Sequence, residues 1–287
     1  TVGSVAYDAF EKDDWRSFAS RPGEPSAFSR SGLGIWDSIK PEVVEFGGDY
    51  LRTPGDAPSV TAPGHAKECY PPLVRSTLHG GPAHDRDDVG TSYAAPKVTR
   101  IAARLQAVLP EESCLLYRAL IVQSARWPEW ARGLPPEQQT ALIGRIGYGV
   151  PDIERATTNT PHRTTFITEG EQEIKPGSCH VYQVPIPDEI RSAGPDYTIL
   201  VEATLSYSAE PRRTRRTHRG YLSTWLDWMS NRKDESLDAF ISRAVKDEDP
   251  AVREGTSFGW TISARSSDGQ IADVRRSIGT VQKDWAY

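Results

Sequence analysis

The chain has 287 residues, about twice the usual domain length of roughly 150, which suggests two domains. A net charge of −5 and a pI near 5.7 give no general pull toward nucleic acid or an anionic membrane surface. Mean hydropathy is −0.53, and no apolar run approaches the roughly 18 residues needed to cross a bilayer as a helix.

The three cysteines, Cys69, Cys114 and Cys179, are widely spaced and odd in number. They form neither a metal pattern nor a disulfide framework. Cys114 lies in a helical run and is expected as a buried, inert thiol, which favours a cytoplasmic over a secreted setting.

Residues 53–88 are rich in Gly and Pro and read as loop. His65, His79 and His84 fall there and are expected to be solvated. The acidic group Asp85, Asp87 and Asp88 reads as a charged loop. Calcium is the alternative, because hard cations want several carboxylate oxygens.

The string Gly90-Thr91-Ser92-Tyr93-Ala94-Ala95-Pro96 follows. Gly90 permits a tight turn and a close approach. Ser92 is expected at a helix start, beside unpaired backbone N–H groups and the positive end of the helix dipole. Pro96 is placed in the first helical turn, where a missing N–H costs little. Val98, Ile101, Ala102, Leu105 and Val108 then keep three- and four-residue steps, and Pro110 ends the run.

A second region begins near Thr164. Tyr182, Val184 and Ile186 alternate with other positions, as do Ile199, Val201, Ala203, Leu205 and Tyr207, and again Phe258, Trp260 and Ile262. The two-residue period predicts half-buried antiparallel strands, with Glu202, Thr204 and Ser206 facing away. A β-sandwich over 164–287 is the natural way to bury one face of each. The basic run Arg212, Arg213, Arg215, Arg216 and Arg219 with His218 reads as a solvated loop rather than a phosphate-binding patch. Tyr221, Leu222, Trp225, Leu226 and Met229 predict a short helix on the sandwich, with Trp225 and Trp228 as alternative interface anchors. Residues 279–287 do not read as a domain end and are expected to run into a further strand that the chain lacks.

GTSYAAP opening an amphipathic helix resembles the nucleophile segment of the subtilisin-like serine peptidases (subtilases, peptidase S8 family). The resemblance extends over roughly residues 1–157, in the family's order. Thr1 to Ala6 (TVGSVA) looks like the buried strand well before the nucleophile. Ser26 to Gly32 resembles the SFSxxG turn, and Ile39 to Val44 is similar to the strand after it. Leu115 to Ala125 looks like the next packed helix. Gly147-Tyr148-Gly149, then Asp152 to Ala156, resembles the closing GxG and short helix.

The resemblance implies a partial α/β subtilisin-like domain over 1–160, with an appended mainly antiparallel β-sandwich. It implies peptide-bond hydrolysis with Ser92 as nucleophile, Gly90 and Thr91 in the substrate and oxyanion loop, and a protein or peptide as substrate, with no cofactor and with neither nucleic acid nor membrane as partner. A nucleophilic serine needs a base and an oxyanion donor. The family supplies Asp, His and Asn before the serine, the order in which the subtilisin triad is usually given. The sequence holds no Asp-Ser/Thr-Gly string and no His-Gly-Thr, the nearest approach being His79-Gly80-Gly81. The chain is therefore expected to be the C-terminal part of a longer subtilase. It would be inactive alone and would cover its apolar surface with the N-terminal portion of the peptidase domain or with other chains. The alternative is a non-catalytic binding or regulatory module.

Overall fold

The computed structural model describes residues 1–12, 14–32, 34, 39–55, 60–61, 71–75, 87–132, 134–175, 177–184, 200–208, 226, 230–231, 235–245 and 281–286. They fall into two compact units, 1–165 and 166–287.

The centre of the first unit is a parallel pair, β1 (Val2–Val5) and β4 (Val43–Phe46), in register from Val2 opposite Val43 to Val5 opposite Phe46. Side chains alternate across a strand. Val5 and Val44 therefore share one face, where they join Leu142 and Ile146 in a buried cluster bordered by Phe46, Trp127 and Trp130. Ser4, Val43 and Glu45 occupy the opposite face.

Loop backbone covers both edges of the pair. On β1, Ser26 N–H donates to the Ser4 carbonyl at 3.0 Å and Ala6 N–H to the Glu24 carbonyl at 2.9 Å. On β4, Val44 N–H donates to the Gly149 carbonyl at 3.0 Å, and Tyr148 N–H to the Glu42 carbonyl at 2.8 Å. This last contact explains the GxG string. Gly147 has φ 55° and Gly149 φ 99°. A β-carbon on Gly147 would lie 2.2 Å from the Pro41 carbonyl oxygen, and one on Gly149 would lie 2.1 Å from that of Arg126.

A small antiparallel sheet lies beside the pair in sequence: β2 (Glu11–Lys12), β3 (Trp15–Ser17), β5 (Leu51–Arg52) and β6 (Val60–Thr61), in spatial order β2-β3-β5-β6. The peptide bond between Lys40 and Pro41, just before β4, is cis.

The expected helices form as α1 (Thr91–Val108), α2 (Cys114–Ser124) and α4 (Ile153–Thr157). Ser113 caps α2 by accepting from Leu116 N–H, and Asp152 caps α4 by accepting from Arg155 N–H. Helix α1 packs on β1 and β4, and also on α2 and α4. Its Ile101 and Leu105 join Leu120 and Ala156 in the second core cluster. Helix α3 (Pro136–Ile146) has no counterpart in the sequence reading; it lines the other cluster through Leu142 and Ile146.

Two expectations are corrected. Helix α1 starts directly after Gly90, so Pro96 is its sixth residue and lies inside the helix, not in the first turn. With no N–H, Pro96 leaves the Ser92 carbonyl without its helical donor. Cys114 is exposed rather than buried, because it is the first residue of α2 and precedes the buried positions Leu120 and Val122.

In the second unit, β7 (Val201–Ser206) pairs antiparallel with β8 (Val281–Ala286), Val201 opposite Ala286 and Ser206 opposite Val281. The expected strand is present, and residues 281–286 themselves form its partner instead of leading into a strand that the chain lacks. The expected alternation is not seen: all six residues of β7 are half-buried. A two-stranded ribbon leaves both faces partly open. Tyr182 and Val184 are exposed and lie outside any strand. A further helix, α5 (Leu237–Val245), carries no buried residue. Of the region expected as a short helix, only Leu226 is described, and it is not helical. Ile186, Ile199, the arginine run, Trp225, Trp228, Phe258, Trp260 and Ile262 lie outside the described residues. No described helix is long and apolar enough to cross a membrane.

Candidate active site

Helix α1 presents Ser92 as its second residue, and the side chain is exposed. Gly90 is the N-cap and offers no capping side chain; Tyr93 N–H closes the turn by donating to the Gly90 carbonyl at 3.0 Å. The N–H groups of Thr91 and Ser92 belong to the first turn, where no carbonyl lies one turn behind them. Both point, with the dipole, toward the end that carries the Ser92 hydroxyl. Such an end suits a developing oxyanion. No described residue hydrogen-bonds that hydroxyl. His65, His79 and His84 lie outside the described residues.

The turn before α1 is held by backbone. Gly90 N–H donates to the Gly47 carbonyl at 2.8 Å, just past the end of β4. The two chains meet too closely for a side chain, since a β-carbon on Gly47 would lie 2.5 Å from the Gly90 oxygen. Gly48, at φ 85°, turns the chain away again. On α1 itself, Lys97 Nζ donates to the Phe46 carbonyl at 2.7 Å. The Gly90 turn is thus fastened to the carboxyl end of a parallel strand, where α/β folds gather ligands.

Tyr93, next to Ser92, folds its ring back over Gly90 and donates its hydroxyl to Asp88 at 3.2 Å. Burial and the Asp88 charge raise the phenol's pKa above its ordinary value, so it stays a donor at neutral pH. Asp88 also accepts from Val89 N–H at 2.7 Å. Asp87 is buried, with Oδ1 2.9 Å from Arg75 Nε, at ion-pair distance but out of hydrogen-bond alignment. The two acids thus take separate partners. Asp85 lies outside the described residues, which hold no group of three or more metal-ligating side chains.

Two carboxylates escaped the sequence reading. Asp49 is fully buried and accepts from Ala19 N–H at 2.7 Å and Ala27 N–H at 2.9 Å, fastening two loops under the Gly47–Gly48 turn. Burial raises its pKa, and backbone donors only partly offset this. Glu42, at the foot of β4, gathers Arg118 from α2, Lys40 Nζ at 2.9 Å and the Thr1 ammonium at 2.6 Å. Burial alone would raise its pKa; the hydrogen bonds from Arg118 and the Thr1 amine outweigh that and lower it to about 2. The main contacts leave no local signal, because Arg118 is distant in sequence from Glu42, as Ala19 and Ala27 are from Asp49.

The profile of the Subtilase family matches residues 1–149. Among curated proteins, the chain is 33% identical over 228 residues to the uncharacterized protein y4bN of Sinorhizobium fredii, covering 77% of this chain and 51% of that protein. The chain thus spans about half the length of this relative. No solved structure matches. With the profile spanning the strand pair, the Gly90 turn, α1 to α3 and the GxG closure, the chain belongs to the subtilase family.

Proposed function

We propose that this chain carries the nucleophile part of a serine endopeptidase, with Ser92 attacking the scissile carbonyl of a protein or peptide substrate. The observation that carries the reading is the exposed serine at the second position of α1, fastened through Gly90 to the end of β4. The N–H of Ser92 itself is assigned to the oxyanion hole, with Gly90 and Thr91 shaping the substrate loop. The Asp, the His and the oxyanion Asn are assigned to a portion of the protein outside this chain, because the sequence holds neither motif that would supply the first two. The β-rich region is proposed as an appended sandwich that does not touch the serine.

In the attack, the hydroxyl proton passes to the supplied base as the Oγ–carbonyl carbon bond forms. The carbonyl oxygen becomes an anion facing the first-turn amides. The peptide nitrogen then leaves with that proton, and water releases the acyl group.

Chemistry of this kind collapses when the nucleophile is removed; the loss reported for the subtilisin triad is about a million-fold. Ser92→Ala in the protein complete with its acid and base should abolish peptide hydrolysis and labelling by a fluorophosphonate, with the melting temperature unchanged. Near wild-type cleavage by that variant would reduce Ser92 to a surface residue of a helix end. The 287-residue chain alone should not turn over casein, since a serine without its base is a poor nucleophile at neutral pH.

A further inference from the structure

Directly under the nucleophile turn lie two buried hydroxyls, on Ser4 of β1 and Ser26 of the following loop. Ser26 Oγ donates to the Gly48 carbonyl at 2.6 Å, and its oxygen is 2.8 Å from Ser4 Oγ. A hydroxyl has one proton. Ser26 gives its own to Gly48, so Ser4 must donate to Ser26, and the chain of bonds runs Ser4 to Ser26 to the Gly48 carbonyl. The backbone ties the same two residues in the opposite sense: Ser26 N–H donates to the Ser4 carbonyl at 3.0 Å, and Ser4 N–H donates to Ser29 Oγ at 3.0 Å. A β-carbon on Gly47 would lie only 2.5 Å from Ser4 Oγ.

We propose that this buried pair is a lock that fixes the Gly47–Gly48 turn, and that Ser26 is thereby a positioning residue for Ser92; the second half rests on the reading of Ser92 as the nucleophile. Gly47 and Gly48 lack side chains, so nothing in their own rotamers holds the turn, and glycine has the widest conformational freedom of any residue. What Gly48 has instead is its carbonyl on Ser26. Gly47 then offers its carbonyl to Gly90 N–H, and Gly90 begins the helix that carries Ser92 two residues later. Removing the Ser26 hydroxyl leaves two buried polar groups without partners, the Ser4 hydroxyl and the Gly48 carbonyl. Such groups are costly to leave unmet, and the turn can relieve them only by moving its peptide planes. Removing the Ser4 hydroxyl leaves the Ser26 bond to Gly48 intact, so the two serines are not equivalent.

The test is amide hydrogen exchange on the full 287-residue chain, with Gly90 as reporter and Ile101 and Leu105 in the middle of α1 as controls. Ser26→Ala should speed exchange at Gly90 by about tenfold, with the α1 controls unchanged. Ser4→Ala should speed it measurably but less. An unchanged Gly90 amide in Ser26→Ala, or equal acceleration at Ile101 and Leu105, overturns the lock. If Ser26→Ala does not fold, Ser4→Ala decides alone, and no change at Gly90 in that variant overturns it. In the protein complete with its acid and base, Ser26→Ala should lower kcat with KM kept. Accelerated Gly90 exchange with kcat unchanged would sink the positioning role. A complete wild-type protein without hydrolysis would instead sink the reading of Ser92, leaving the exchange result to decide the lock.

Discussion

The two units bury their side chains very differently. Among the described residues, the buried hydrophobic side chains run from Val5 to Ala156, with one exception, Tyr207. The first unit also buries polar groups and pairs Ser4 with Ser26, Asp49 with two loop amides and Glu42 with Arg118, while Asp87 Oδ1 is left without a hydrogen bond. The second unit instead shows Phe166, Tyr182, Val184, Leu237 and Val245 at more than half exposure. The difference teaches where precision is stored. Under the proposed reading of Ser92, a group that must meet a substrate carbonyl within tenths of an ångström is best held by backbone-to-backbone closures and paired buried groups, of the kind the first unit shows around Gly90.

Glycines test this contrast most sharply. Gly149 and Gly170 both have positive φ, 99° and 61°. A β-carbon on Gly149 would lie 2.1 Å from the Arg126 oxygen, whereas one on Gly170 would meet nothing within 4 Å. Gly149→Ala should therefore destabilise the first unit by about 4 kcal/mol or more, through both collision and strain. Gly170→Ala should cost only the left-handed penalty, about 1–2 kcal/mol. Thermal melts of the two variants check this, and equal losses would erase the contrast in packing.

Next in size is Glu42. Its carboxyl titrates at about 2 in the folded chain against an ordinary 4.5. A depressed folded pKa adds stability that is complete above pH 4.5 and is lost as pH falls toward 2. That difference is on the order of 3 kcal/mol. Glu42→Gln should lose about this much at pH 7, and its stability should fall less steeply than that of the wild type between pH 4.5 and 2. A variant whose acid denaturation curve overlays the wild type would show that the carboxylate is not held by Arg118 and its neighbours.

That residue also marks what was legible in the sequence. GTSYAAP and the three- and four-residue steps located α1, and Val98, Ile101 and Leu105 are buried as those steps require. Local order was readable because glycine, proline and periodicity act over one or two turns. The Glu42–Arg118 pair spans 76 residues, and no periodicity marks it. The Asp49 clamp, the Ser4–Ser26 pair and the edge closure by Tyr148 are likewise long-range. Pro96 was misplaced for a subtler reason: a proline near a helix start is usually in the first turn, yet here Gly90 begins the helix at once and leaves proline to the second. Helix α3 did carry a signal, with Pro136 at its first position, Leu142, Ile143 and Ile146 on one side, and Gly147 after the end; the same glycine was absorbed into the GxG string instead.

A smaller effect is expected from the ion pair of the second unit. Arg243 on α5 grips Glu235 in a fork, Nε to Oε1 and Nη2 to Oε2, both at 2.8 Å. Lysine keeps the charge and loses the fork. Arg243→Lys should cost about 1 kcal/mol, less than Glu42→Gln, because it keeps the charge beside Glu235 and gives up only the fork geometry. Urea denaturation followed in the second unit measures it. A loss as large as that at Glu42 would mean that α5 is anchored as firmly as the first unit's core.

The smallest expected effect bears on the appended sandwich. Full burial of a valine side chain is worth about 1.5–3 kcal/mol, and a face covered by a second sheet would claim most of it. Val201 in β7 is half-buried, as is Glu202, its neighbour on the other face. Val201→Ala should then cost about 1 kcal/mol, and Glu202→Ala should differ from it by less than that. Matched thermal melts of these two variants compare the faces directly. If Val201→Ala proves costlier by 2 kcal/mol or more, one face of β7 is covered and the other is not. The two-residue alternation read from Val201, Ala203 and Leu205 would then be real in the folded protein, and a second layer would have to supply the cover. A small gap keeps β7 and β8 as an open ribbon, and the sandwich loses the strand on which it was argued.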